Sequence, residues 1–275
     1  MVTSADGTDK AALARLFSAT SDSHDAIGTP LFSHFGELLV EMVRLRRGHR
    51  VLDVAAGVGA TLIPAARRIG ETGRVTGIDL APGMVRRLAD RIAEGNLTNA
   101  EVAVADGEAL PFEDGSFDAV LCGFALFFFA DPERAVEGFR RVLRGGGVLG
   151  ISTFTHDGSA SMDRVWELLS GYVEVPPPAD PERRFDDAFG LTRVLAGAGF
   201  VGIDVQVSPL EVVFDDVEAW WAWLRSMEFR ESLERMDEET AGRFKASAAQ
   251  VFAHQPGASA ISFRMDALLT RCQRR

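Results

Sequence analysis

The sequence predicts an α/β protein, a mostly parallel β-sheet with helices on both faces. From Val51 onward, apolar strand-like runs alternate with helical segments, and such alternation requires crossover helices between parallel strands. The first run, Val51-Leu-Asp-Val-Ala-Ala-Gly-Val-Gly59, passes from a buried strand through a glycine turn into a helix N-terminus, the place where such sheets accept a nucleotide-like ligand. The two cysteines, Cys122 and Cys272, lie in apolar runs and suit reduced, buried thiols rather than a disulfide framework.

Taken in order, Lys10 to about Thr20 reads as a helix, broken by the turn chemistry of Ser21-Asp-Ser-His-Asp25 and Gly28-Thr-Pro30. Leu31, Phe35, Leu38, Leu39, Met42 and Val43 keep helical spacing and predict a second helix over 31–45. Strands are expected at 51–55, 74–79, 100–105, 117–122 and 147–154, with helices at 60–69, 82–94 and 131–144. Beyond Phe154 a helix near Met162 to Tyr172 precedes the Pro176-Pro-Pro178 break, and 185–198 is helical again. Phe200 to Phe214 alternates like one long antiparallel edge strand. Residues 215–253 read as helical, with Trp220, Leu224 and Met227 on a core-packed face, and Ala258 to Leu268 as the final strand. The expected organisation is one domain over 1–275: lid helices at 10–45, a core at 46–154, a cap insertion at 155–185, and the rest of the sheet at 186–275 with a helical insertion at 215–255.

A net charge of −11 disfavours a nucleic-acid partner, which would need clustered cations. The longest apolar run, Ala119 to Ala130, is too short to span a bilayer, and the N-terminus lacks a basic start and apolar run. A cytoplasmic protein without membrane insertion is expected; the oligomeric state is left open.

The chemistry rests on three features at fixed distances. Gly57 and Gly59 bare the backbone where a ligand must approach it. Asp79 ends the next strand, twenty residues after Gly59, where an acid grips ribose hydroxyls. Asp106 follows the third strand, where a carboxylate accepts a bond from an adenine amino group. Leu62 stands where a dinucleotide fingerprint has its third glycine, so adenosine fits better than NAD. Asp53, inside the first strand, is an acid that is costly to bury without a donor.

Val51 to Gly59, Gly77-Ile-Asp-Leu-Ala-Pro-Gly-Met84, Ala105-Asp-Gly-Glu-Ala-Leu-Pro-Phe112, Phe117-Asp-Ala-Val120 and Arg141-Val-Leu-Arg-Gly-Gly-Gly147 together resemble the class I S-adenosylmethionine-dependent methyltransferases, most closely the quinone-biosynthesis-type small-molecule enzymes. The resemblance covers about 35–155 firmly. It implies a Rossmann-like seven-stranded sheet with the last strand antiparallel, and S-adenosylmethionine at Asp53, Ala55, Gly57, Asp79, Leu80, Met84, Asp106, Gly107 and around Cys122, with S-adenosylhomocysteine as product. Two positions depart from the family: Ala55 stands where glycine is usual, and Gly145 where proline is common. The methyl of Ala55 asks for an ordinary backbone conformation.

Methyl transfer from a sulfonium needs an in-line nucleophile, positioning and at most one proton acceptor. It asks for no metal, and the histidines lack ligand spacing. His24 and Asp25 are the first candidates for proton acceptor and His156 the second. Phe124, Phe127 and Tyr172 are candidate contacts for an apolar or aromatic small-molecule acceptor, Phe124 foremost. The expected activity is methyl transfer to such a metabolite, of secondary or quinone-like metabolism. Alternatives are a non-methylating reaction such as cyclisation, with the cofactor in a structural role, and a non-catalytic partner subunit.

Overall fold

The computed structural model describes residues 9–25, 30–175, 185–253 and 260–275. Two helices come first, α1 (Lys10–Thr20) and α2 (Leu31–Val43), α1 beginning where Asp9 accepts the N–H groups of Ala11 and Ala12. Then follow β1 (Arg50–Val54), α3 (Leu62–Ile69), β2 (Arg74–Asp79), α4 (Pro82–Glu94), β3 (Ala100–Val104), β4 (Phe117–Gly123), α5 (Pro132–Val142) and β5 (Leu143–Phe154). Pro82 and Pro132 open their helices at positions where the missing N–H has no intrahelical partner to lose.

The second half contains α6 (His156–Ser170), α7 (Ala188–Gly197), β6 (Phe200–Ser208), β7 (Glu211–Phe214), α8 (Val217–Leu224), α9 (Arg230–Glu234), α10 (Glu238–Val251), β8 (Ile261–Arg264) and β9 (Ala267–Arg274). Seven strands form one sheet in the order β3-β2-β1-β4-β5-β9-β6. β9 runs antiparallel to both neighbours, so six strands are parallel and the last is reversed, the Rossmann-like arrangement. β1 is buried at every residue after Arg50, as expected of a central parallel strand whose run is apolar apart from Asp53. β4 alternates by face: Ala119 and Leu121 pack beside α2 and α3 residues, Val120 and Cys122 beside α5 and α7 residues.

Three predicted elements differ. The run 200–214 is not one strand: β6 pairs with β9 on the sheet edge, while β7 pairs with β8 in a separate two-stranded sheet. The predicted final strand divides in step, into β8 and β9, and its residues 258–259 lie outside the described residues. Both divisions fall at one crossing. Pro209 offers no N–H to a ladder, and Asp266, buried on the partner chain segment, takes the Leu210 N–H at 3.1 Å and Arg264 Nε at 2.6 Å. The helix expected near Met162 begins at His156, capped by Thr155 Oγ1 on the Gly158 N–H at 3.1 Å. The triple proline 176–178 falls outside the described residues.

The β7–β8 sheet, α6, α8 and α10 share a core in which Trp220, Phe244, Phe252 and Phe263 stack, with Trp220 fully buried. Helix α2 packs on the face of the sheet, with Leu39 and Val43 over Gly150 of β5, and α1 packs on α4, where Ser18 meets Gly83. Among the described residues, no helix is long and apolar enough to cross a membrane.

Candidate active site

The central strand ends in an acid that the fold only half satisfies. Asp53 is fully buried; Thr61 Oγ1 donates to its Oδ2 at 2.6 Å, and among the described residues Oδ1 has no hydrogen-bond partner. Burial pushes its carboxyl up to about 7, against the opposing Thr61 hydrogen bond. An orphaned buried carboxylate oxygen is costly, and a ligand donor would remove the cost.

After Val54 the chain turns through Ala55 at φ +55° and Gly57 at φ +53°. The left-handed conformation at Ala55 is opposite to the ordinary one expected of its methyl group, and it places strain at the mouth of the turn. The turn closes on Asp79, whose Oδ2 accepts the Gly57 N–H and whose Oδ1 accepts the Ala81 N–H, both at 2.8 Å. Burial raises the Asp79 pKa, against those bonds. Leu62 explains itself here: a Cβ on Gly77 of β2 would come within 2.5 Å of its Cδ1, so the glycine has moved across to the strand.

At the end of β3, Asp106 Oδ2 takes Lys10 Nζ at 2.7 Å and Oδ1 takes the Glu108 N–H at 2.9 Å. Burial, which would raise the Asp106 pKa, is outweighed by these donors. Lys10 also reaches Glu108 at 3.2 Å, so α1 is tied by its one lysine to the rim of the site.

These groups border one cavity. Its first end is walled by Ala55 to Val58, Asp79, Leu80, Met84, Asp106 and Gly107, with Phe17 of α1 packed on Val58, Ala81 and Met84. Its other end is aromatic: Phe124 lies 5.5 Å from Phe32 and 4.6 Å from Phe154 between ring centroids, and Phe127 lies 6.3 Å from Phe154. Phe124 itself has φ +49°, so the turns that follow β1 and β4 each hold a non-glycine residue in the left-handed region.

The methyltransferase domain family matches residues 52–151, the segment from β1 to β5 that builds this cavity. The chain is 33% identical over 148 residues to aklanonic acid methyltransferase DauC of Streptomyces sp. strain C5, covering 54% of this chain and 67% of that one. It is 30% identical over 192 residues to the ubiquinone/menaquinone biosynthesis C-methyltransferase UbiE of Azotobacter vinelandii, covering 64% and 76%. The chain belongs to the S-adenosylmethionine-dependent methyltransferases. The crystal structure of YcgJ of Bacillus subtilis shares the fold, with a TM-score of 0.62 at 21% identity over 88% of this chain and 99% of that one.

Within this methyltransferase the expected site residues separate. Ala55, Gly57, Asp79, Leu80, Met84, Asp106 and Gly107 border the cavity, and Asp53 stands behind Thr61 with its free oxygen. Gly59 does not border it; at φ +95° it lets Leu88 approach, whose Cδ1 would lie 2.5 Å from an added Cβ. Cys122 is fully buried on the α5–α7 face of β4, its thiol raised by burial, and the next residues, Gly123 and Phe124, line the cavity instead.

Of the three expected proton acceptors, His24 alone borders the cavity. Its ring stacks on Phe32 at 4.9 Å, its Nδ1 is buried without a partner, and burial lowers its pKa, against Asp25 and a hydrogen bond with the Ser226 backbone. Asp25 serves α2: it accepts the N–H groups of Phe32 and Ser33 at 2.9 and 2.8 Å. His156 is exposed and pairs with Asp186 at 3.2 Å. Among acceptor contacts, Phe124 and Phe127 line the cavity; Tyr172 lies elsewhere, hydrogen-bonded to Ser247 at 2.7 Å.

Sequence reasoning missed Lys10, Phe17, Phe32, Phe154, Met227 and Glu228 on the wall. Phe32 and Phe154 carried the same apolar signal as core residues. Met227 was assigned to a core-facing helix, but α8 stops at Leu224, and the following turn brings Met227 and Glu228 to the cavity.

Proposed function

We propose that this methyltransferase methylates a small, largely apolar aromatic metabolite seated against Phe32, Phe124, Phe127 and Phe154. The observation that carries the reading is the continuity of that aromatic wall with the Asp79–Asp106 end in one cavity. The two relatives named above support it, since one acts on aklanonic acid and the other in ubiquinone/menaquinone biosynthesis. Bound at the first end, S-adenosylmethionine supplies a methyl group already activated by its sulfonium sulfur.

The chain's own residues hold and orient. Asp79, fixed by two backbone N–H groups, presents its remaining lone pairs to ribose hydroxyls, and Asp106 faces the adenine side. The free Oδ1 of Asp53, behind Thr61, suits an ammonium reached directly or through water. Phenylalanine faces toward the sulfur favour a cationic donor over its neutral product, and the lid helices α1 and α2 exclude water. The two buried thiols suit a reducing compartment, and we place the protein in the cytoplasm.

Calorimetry with S-adenosylhomocysteine tests the assignment of the first end. Asp79→Asn is expected to lose about 2 kcal/mol of binding, the scale of hydrogen bonds to a charged group. Equal affinity in wild type and variant would remove Asp79 from the cofactor site.

A further inference from the structure

Glu228 is a carboxyl that neither the fold nor the cofactor accounts for. It lies in the turn between α8 and α9 and lines the cavity beside Met227, on the side that carries His24 and Phe32. Among the described residues its side chain has no hydrogen-bond or ion-pair partner beyond its own backbone N–H, and burial raises its pKa against that one bond. Its side chain is half-buried on the cavity wall, where a ligand hydroxyl can donate to it.

The neighbouring charges are already engaged. Lys10 is paired with Asp106 and Glu108, and Asp79 with the Gly57 and Ala81 N–H groups. Beside the turn, Arg225 and Arg230 pair with Glu234, and Asp25 caps α2. His24 hydrogen-bonds the backbone of Ser226, two residues before Glu228, while its free Nδ1 is shielded from solvent. Glu228 is therefore a carboxyl on the cavity wall with an oxygen free for a ligand; the Ser152 hydroxyl, also on the wall, likewise has no partner among the described residues.

We propose that Glu228 is a catalytic residue that takes the proton of an ionisable hydroxyl on the aromatic acceptor, with His24 as the positioning residue that holds its turn through Ser226. The proposal rests on the methyl-transfer reading above. The acceptor oxygen forms a bond to the methyl carbon, the carbon–sulfur bond breaks with its electron pair left on sulfur, and the hydroxyl proton passes to the Glu228 carboxylate and then to solvent. Burial raises the Glu228 carboxyl, which makes its carboxylate a stronger proton acceptor for such a step. The acceptor class is thereby narrowed to phenols and enols.

The test uses 2-naphthol and naphthalene as probes on the protein loaded with S-adenosylhomocysteine. Wild type should bind 2-naphthol about tenfold or more tighter than naphthalene, the scale of one hydrogen bond to a charged group. Glu228→Leu should abolish that difference while keeping the affinity for S-adenosylhomocysteine, which also reports that the variant is folded. With S-adenosylmethionine, Glu228→Gln should lower the turnover of 2-naphthol about 100-fold with little change in KM, lose the acid limb of the kcat profile, and be partly rescued by Glu228→Asp. His24→Gln should keep that limb and raise KM.

Equal affinity for the two probes in wild type, discrimination that survives Glu228→Leu, or a Glu228→Gln variant with normal turnover would each overturn the proposal, as would absence of 2-naphthol turnover in wild type. Failure of wild type to bind S-adenosylhomocysteine would instead overturn the methyl-transfer reading beneath it.

Discussion

Ala55 holds a left-handed backbone that glycine would hold at no steric cost. Ala55→Gly is expected to gain about 1 kcal/mol in denaturant unfolding; a loss of stability would mean that the methyl contact, not the backbone, sets the balance there. Asp53 makes stability depend on pH. An unfolded aspartate titrates near about 4, and the folded group is pushed to about 7. Between those values the folded chain holds the extra proton, so stability is full below the window and is lost as pH rises through it. Asp79, raised in the same direction, adds to the slope. Melting temperature measured from about pH 5 to about pH 7.5 should therefore fall in the ligand-free protein, and fall less in Asp53→Asn; parallel slopes would contradict the Asp53 assignment. Spacing along the chain exposed Asp53, Asp79 and Asp106, because each lies at or close to the C-terminal end of a strand in a repeating unit. It did not expose the roles of Asp25, His156 and Tyr172, whose partners Ser33, Asp186 and Ser247 lie seven or more residues away and depend on how the lid and cap fold back.

Helices α1 and α2 are seated by missing side chains. A Cβ on Gly36 of α2 would stand 2.1 Å from the Ala60 carbonyl oxygen, and one on Gly83 of α4 would stand 2.6 Å from Ser18 Cα of α1. Gly83 also donates its N–H to Ser18 Oγ at 3.1 Å. Gly83→Ala should lift α1 from α4 at the 1–3 kcal/mol scale of overpacking, so S-adenosylhomocysteine should dissociate about tenfold faster in stopped flow. An unchanged rate would show that α1 does not cover the cofactor. Lys10→Met should act in the same direction but cost under about 1 kcal/mol, because Lys10 and Asp106 are each about one-third exposed, and the effect should shrink with salt. The helices were visible from apolar spacing and the turn residues between them. Their glycine contacts were not, since nothing in Leu31 to Val43 says which backbone Gly36 meets. The strand crossing at Pro209 and Asp266 was concealed for a related reason: one continuous alternation served two sheets.

For the molecule as a whole, the ends of the parallel strands supply both Asp79 and Asp106 and the phenylalanines Phe124, Phe127 and Phe154, while the N-terminal helices and the turn after α8 complete the wall. Lys10, Phe17 and Phe32 enter from the N-terminal helices and Met227 and Glu228 from the turn between α8 and α9, so the cavity is lined by segments far apart in sequence. That is why the cofactor half was legible in local motifs while the acceptor half needed the fold. The alternative of a non-methylating reaction keeps the same walls and differs only in what leaves the cavity. The decisive measurement is therefore a stoichiometry: incubation of the protein with methyl-labelled S-adenosylmethionine and a panel of phenols, quinols and other hydroxylated aromatics, counting label in product against S-adenosylhomocysteine formed. The structure predicts one labelled methyl group gained per S-adenosylhomocysteine released. Product that forms without label, equally well with either form of the cofactor, would contradict it.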